Sequence, residues 1–146
     1  MGKVYYACTT HPLGEAPTPL RYTVMFIRYG GQWLFVRHKE RDTWECAGGH
    51  IEEGESPIEC ARRESYEEAG VMESTITELF DYWAHSTTGN ASGRVFLVEA
   101  KTLAEIPAEH EMAERTLVDM PPDKLTYELI FTTLYPEVQA RLEGKL

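Results

Sequence analysis

The sequence predicts an α/β sandwich, and three features carry that reading. A strand-rich run from Tyr22 to Tyr29 turns at Gly30-Gly31 into a second one. A helix from Pro57 to Ala69 has start and stop signals at both ends. A further helical stretch follows Pro121-Pro122 near the end of the chain. Strand and helix signals mixed along 146 residues fit one domain over residues 1–146, because two independent cores are hard to build from so short a chain.

Residues 1–20 contain Pro12, Gly14, Pro17 and Pro19 and are expected to form an irregular arm leading into the fold. The run Y-T-V-M-F-I-R-Y from Tyr22 to Tyr29 is dense in β-branched and aromatic side chains, and Trp33 to Val36 resumes that character. The glycine pair between them marks a hairpin. Ser56-Pro57-Ile58-Glu59 then opens a helix. Ser56 can cap free amides, Pro57 suits the first helical position, where no N–H is needed, and Glu59 completes a capping box. Gly70 stops this helix, since glycine adopts the left-handed closing conformation without a Cβ clash. Thr75 to Trp83 and Arg94 to Ala100 are predicted strands joined by a polar turn around Thr88-Gly89-Asn90, and Arg115 to Val118 is a short one. The last helical stretch runs roughly from Lys124 to Leu142 and should break at Pro136, which lacks an N–H and crowds the preceding turn.

Hydrophobic residues make up 42% of the chain and aromatics 11%, enough for a packed core. Acidic residues outnumber basic ones, 24 to 14, and the net charge of −10 argues against general binding to nucleic acid or an anionic membrane. It also means that a phosphate-bearing ligand must be drawn in by local cations or metal ions. No apolar run approaches the roughly 20 residues that span a bilayer. The N-terminal segment Met1-Gly2-Lys3-Val4-Tyr5-Tyr6 has neither the apolar stretch of a signal peptide nor the Ser or Thr of a myristoylation site, so a cytoplasmic location is expected. Cys8, Cys46 and Cys60 show no C-x-x-C spacing, which leaves reduced thiols as the default.

The helix from Pro57 carries its carboxylates at the wrong end for stability. Glu64, Glu67 and Glu68 share one face at i, i+3 and i+4, in the last two turns, where the helix dipole is negative. Each carboxylate there is disfavoured by a few tenths of a kcal/mol to about 1 kcal/mol, and same-face neighbours repel further. Something positive should reside there. Clustered carboxylates without a Cys or paired His suit a hard divalent ion, Mg²⁺ or Mn²⁺ before Zn²⁺. Taken alone, E-x-x-E-E is more often a solvated surface face.

Its surroundings reverse that balance. Residues 49–71 resemble the Nudix box, G-x5-E-x7-R-E-U-x-E-E-x-G-U with U apolar. Gly49, Glu55, Arg63, Glu64, Glu67, Glu68, Gly70 and Val71 all match in register. Ser65 departs, standing where an apolar residue is usual, and is expected to face the sheet with its hydroxyl returned to the carbonyl four residues back. Ala47 likewise replaces the proline that often precedes the two glycines. The resemblance implies an α/β/α sandwich around a mixed sheet. It also implies metal binding by Glu64, Glu67, Glu68 and the Gly48 carbonyl, with Glu64, Glu67 and Arg63 in the catalytic centre. Gly49 and Glu55 would support that geometry, Glu55 as the partner of Arg63. A carboxylate outside the box often assists. Glu111, six residues before Leu117, matches such a position, with Glu109 and Glu114 as competitors.

Other residues are less specific. Arg37, His38, Lys39 and Arg41 form the densest basic run; Arg37 and Lys39 are candidates for phosphate contact, against the alternative of a solvated hairpin end. Cys46 and Cys60 read as packing residues. His50 and His85 can reach substrate or be structural. Trp33, Trp44, Tyr82 and Trp83 can stack on a base or fill a core.

The implied activity is hydrolysis of a diphosphate linkage in a small nucleotide-like substrate, foremost a nucleoside triphosphate cleaved to monophosphate and pyrophosphate, as in the MutT-like sanitising branch. The compact chain and the pre-box segment support that branch. The proline that often accompanies ADP-ribose hydrolysis past the box is missing, since none occurs between Pro57 and Pro107. The alternatives are hydrolysis of ADP-ribose or a nucleotide sugar, and a non-catalytic Nudix-like ligand sensor, which usually loses box glutamates. A homodimer is compatible with the sequence.

Overall fold

Strand β1 (Tyr5–His11) corrects the expectation of an irregular arm over residues 1–20. It pairs antiparallel with β5 (Ser74–Ser86), Thr9 opposite Trp83 and His11 opposite Asp81, so a partner 70 or more residues away creates it. The proline-bearing residues 12–19 stay irregular. The structure, a computed structural model, describes residues 3–144; Met1 and Gly2 of the N-terminal segment lie outside it.

The expected hairpin is present. β2 (Leu20–Tyr29) and β3 (Gln32–His38) pair across Gly30 and Gly31, whose φ angles of 60° and 81° are open to glycine without strain. The first half of β2 instead pairs with β4 (Ala47–His50), Gly48 opposite Val24. β6 (Gly89–Ala100) runs parallel to β2 and antiparallel to β5, and β7 (Met112–Val118) joins the outer side of β3. The sheet is therefore mixed, in the order β1-β5-β6-β2-β3-β7 with β4 beside β2.

Side-chain alternation decides what covers each face. Met25 and Ile27 point to a cluster that includes Ala61 and Ala69 of α1 (Pro57–Ala69). Phe26 points the other way, into a cluster with Ile130, Leu134 and Val138 of α2 (Glu128–Leu142). This is the expected α/β/α sandwich. Among the described residues no helix is long and apolar enough to cross a membrane.

Two helix expectations change. α2 starts at Glu128, because residues 124–126 are drawn into pairing with Trp44, whose N–H donates to the Lys124 carbonyl at 2.8 Å. Pro136 does not break it. The proline removes one backbone bond, but buried Leu134 and Val138 on either side hold the helix to one sheet face.

Candidate active site

α1 has the start and stop devices that its sequence announced. The Ser56 hydroxyl accepts from the Glu59 N–H, the Glu59 carboxylate accepts from the Ser56 N–H, and Gly70 closes the helix at φ 72°. This fixed rod delivers Glu64, Glu67 and Glu68 to one place. Arg63 organises them. Its Nε and Nη2 donate to Glu55 at 2.7 and 3.0 Å, Nη2 also reaches the His50 carbonyl at 3.2 Å, and Nη1 donates to Glu64 at 3.1 Å and Glu67 at 3.2 Å. Glu68 is buried and accepts from the Gly48 N–H at 2.9 Å. Gly49 lies so close to the Glu64 carboxylate that a Cβ there would overlap it, and a Cβ on Gly48 would press on the Thr23 carbonyl. Glycine at both positions is what lets strand β4 approach the cluster.

The electrostatics divide the carboxylates. Glu55, held by the Arg63 guanidinium, has its pKa lowered to about 2. Burial pushes Glu64 up to about 7, reinforced by its hydrogen bond with Glu67 and opposed by Arg63. Burial pushes Glu68 up to about 9, against the help of the Gly48 N–H. Two carboxyl groups are thus short of positive charge where the helix dipole is also negative. Among the described residues no three His, Cys, Asp or Glu side chains stand in ligating geometry; Arg63 Nη1 holds Glu64 and Glu67 together, while the Gly48 N–H holds Glu68. The donors are all oxygen, the chemistry that suits a hard divalent cation.

Glu64, Glu67 and Glu68 line a cavity of about 720 Å³ with Gly48, Gly49 and Arg63. Glu111 lines it too, near His38 at 3.9 Å, whereas Glu114 is taken up by Arg37 at 2.8 Å and Glu109 is not on the wall. Of the basic run, the cavity takes His38 and Arg41 and omits the two residues expected to meet phosphate. Arg37 is spent on Glu114 and the Arg41 carbonyl, and Lys39 on the Ala108 carbonyl at 2.8 Å. They tie β3 to the segment that carries Glu111. Trp44, Tyr82 and His50 are on the wall; Trp33, Trp83 and His85 are not.

One predicted detail fails. The Ser65 hydroxyl is buried without a hydrogen-bond partner, so it does not return to the preceding turn. Apart from the divalent ion that the sequence calls for, a cation of the chain itself reaches the end of α1: Arg115 of β7 donates to the carbonyls of Ala69 and Ala104. Sequence reasoning had no local signal to name this residue, 46 positions from Ala69. It also missed Tyr127 and Phe131 of the far wall, because α2 meets the box only through the sheet.

The NUDIX domain model matches residues 19–136. The chain belongs to the NUDIX family. A nucleoside triphosphate pyrophosphatase/Nudix hydrolase fusion protein of Bifidobacterium longum is 31% identical over 136 residues, covering 87% of this chain and 26% of its own length, so the chain spans about a quarter of that relative. A MutT-like protein of Streptomyces ambofaciens is 32% identical over 79 residues, 51% of each protein. Among solved structures, a Bacillus subtilis pyrophosphohydrolase superposes with a TM-score of 0.82 over 97% of both chains at 18% identity. A UDP-X diphosphatase does so at 0.70, over 88% of this chain and 65% of that one, at 22% identity. At such identities the likeness speaks for the fold.

Proposed function

We propose that this NUDIX protein hydrolyses a diphosphate linkage in a nucleotide-like substrate with Mg²⁺ or Mn²⁺, and that its preferred reaction is nucleoside triphosphate to monophosphate and pyrophosphate. One observation carries this reading: a single cavity is lined both by these carboxylates and by the aromatic rings of Trp44, Tyr127 and Phe131. Charge is offered where a cation and phosphates belong, and flat apolar surface where a base belongs.

Glu64, Glu67, Glu68 and the Gly48 carbonyl would hold the ion, which supplies polarisation of phosphate oxygens and a more acidic water. The Glu55–Arg63 pair keeps the loop before α1 against the helix, so the carboxylates are held before substrate arrives. Arg41, which also holds Glu45 at 3.1 Å, would bring a guanidinium to the phosphates, with His38 beside it on the cavity wall. Glu111, exposed and lining the same cavity, would take a proton from the attacking water. The relative from Bifidobacterium longum, named as a triphosphate pyrophosphatase/Nudix fusion, is consistent with the substrate but covers more than this chain.

The test is a substrate panel with products identified by mass spectrometry. Canonical or oxidised nucleoside triphosphates should have a higher kcat/KM than ADP-ribose or nucleotide sugars, and EDTA should abolish turnover. ADP-ribose preferred tenfold or more would replace the triphosphate assignment, and full activity in EDTA would remove the metal.

A further inference from the structure

The segment that carries Glu111 is fastened to the end of α1 on both sides. Before it, the Ala104 N–H donates to the Gly70 carbonyl at 2.7 Å, and Val71 bridges to Leu103. After it, Arg115 of β7 donates from Nη1 to the carbonyls of Ala69 and Ala104. One nitrogen thus joins the last residue of α1, the start of the segment and the strand that follows it. Gly70 leaves room for this, because a Cβ there would overlap both Arg115 Nη1 and the Ala104 carbonyl. The box glycine that stops the helix also seats the guanidinium. Between these two fastenings the segment is held to β3 instead. The Lys39 N–H donates to the Glu111 carbonyl at 2.9 Å, and Lys39 Nζ donates to that of Ala108.

An arginine at the end of a helix is commonly a cap and nothing more. Here the topology gives it a second consequence. β7 ends the sheet, with its one ladder to β3, and Ala113 and Glu114 are exposed. Towards α1, Met112 shares a buried cluster with Ala61 and Ala69, an apolar association without direction. The hydrogen bonds of Arg115 are directional, and they tie β7 just past Glu111 to the residue that follows Glu68. Arg115 itself is not on the cavity wall, so it acts on the site through what it holds. We infer that Arg115 is a positioning residue: by locking β7 to the C-terminal end of α1 it sets where Glu111 stands relative to the box carboxylates. The inference rests on the proposed function in that Glu111 serves the reaction there.

The test is a double-substitution cycle with a second readout that needs no substrate. Arg115→Gln should lower kcat roughly ten- to a hundredfold and leave KM near its value, since a small misplacement is enough and no substrate contact is lost. In a Glu111→Gln background the same change should cost less than about twofold. A residue that merely caps the helix would lower kcat equally in both backgrounds, and that additivity overturns the positioning role. A silent Glu111→Gln overturns it too, because nothing would remain to be positioned. Arg115→Lys keeps the charge and N–H donors without the planar fork, and should recover kcat to within about fivefold.

The second readout is hydrogen exchange at the Lys39 amide, whose bond to the Glu111 carbonyl reports how firmly the segment is held. It should quicken roughly tenfold or more in Arg115→Gln and less in Arg115→Lys, while amides at the centre of β2 and β6 keep their rates. Unchanged exchange at Lys39, or exchange that quickens equally at the sheet centre, counts against the inference whatever the kinetics. Local quickening in a protein that turns over no nucleotide would sink the proposed function and leave the fastening standing. Turnover with additive losses would do the reverse.

Discussion

The two helices that cover the sheet are held in opposite ways. α1 is defined by its own ends: a complete capping box at Ser56, Pro57 at the first position and Gly70 at φ 72°. α2 has no side-chain cap at Tyr127 and a proline inside it, yet it runs unbroken from Glu128 to Leu142. Its cohesion comes from the sheet. Ile130, Leu134 and Val138 are buried, Phe131 and Tyr135 stack at 4.9 Å over Phe26, and Arg141 donates to the Leu79 carbonyl at 2.7 Å. The division matches what each helix contributes. A cluster of mutually repelling carboxylates needs a rod whose geometry does not depend on them. An aromatic wall needs only to be packed, and packing is what holds it.

That comparison can be broken most strongly on α1. Glu67→Gln and Glu68→Gln should each lower turnover roughly a hundredfold or more with the fold intact, since they remove site groups and no cap. Steady-state kinetics with circular dichroism checks this; an unimpaired double variant would end the assignment. On the same footing, Glu111→Gln should reduce kcat by roughly ten- to a thousandfold, as expected for a general base. Glu109→Gln and Glu114→Gln should remain near normal. A silent Glu111→Gln beside a damaged neighbour would move the role.

The converse change falls on α2. Leu134→Ala deletes a fully buried anchor and should cost about 2–5 kcal/mol of stability by urea unfolding. If it costs less than a Ser56→Ala cap deletion, α2 is not held by packing as argued.

A smaller effect is a pH dependence specific to α1. In the metal-free protein the folded state raises the pKa of Glu68 to about 9 and of Glu64 to about 7, above an ordinary carboxylate. The folded protein then binds protons that the unfolded chain releases. Stability is therefore highest near pH 4.5, declines as pH rises through these values and levels off above about 9. Melting temperatures across that range should fall, and Glu68→Gln should flatten most of the slope. A melting temperature that rises steadily from pH 5 to 8 in EDTA would contradict the electrostatics of the cluster. The smallest change concerns Ser65. Its unpartnered buried hydroxyl means that Ser65→Ala should raise stability by about 1 kcal/mol, read from the same unfolding curves.

What the sequence by itself determined are the features encoded within a few residues of one another. The glycine hairpin, both ends of α1 and the spacing that puts Glu64, Glu67 and Glu68 on one face all depend on local backbone geometry or a single helix, while the Glu55–Arg63 pair was implied by the box resemblance. Tertiary structure alone decided the rest. β1 is a strand because β5 is beside it, and Pro136 is tolerated because the sheet holds both flanks. Arg115 rather than a neighbour in sequence answers the dipole of α1. Arg37 and Lys39 were drawn to the 105–114 segment and away from the cavity, and this placed Glu111, of three near-equivalent glutamates, on its wall. Each of these outcomes is a contact between residues far apart in the chain. The free energy of such a contact depends on which surfaces folding brings together, and no window of neighbouring residues contains that information.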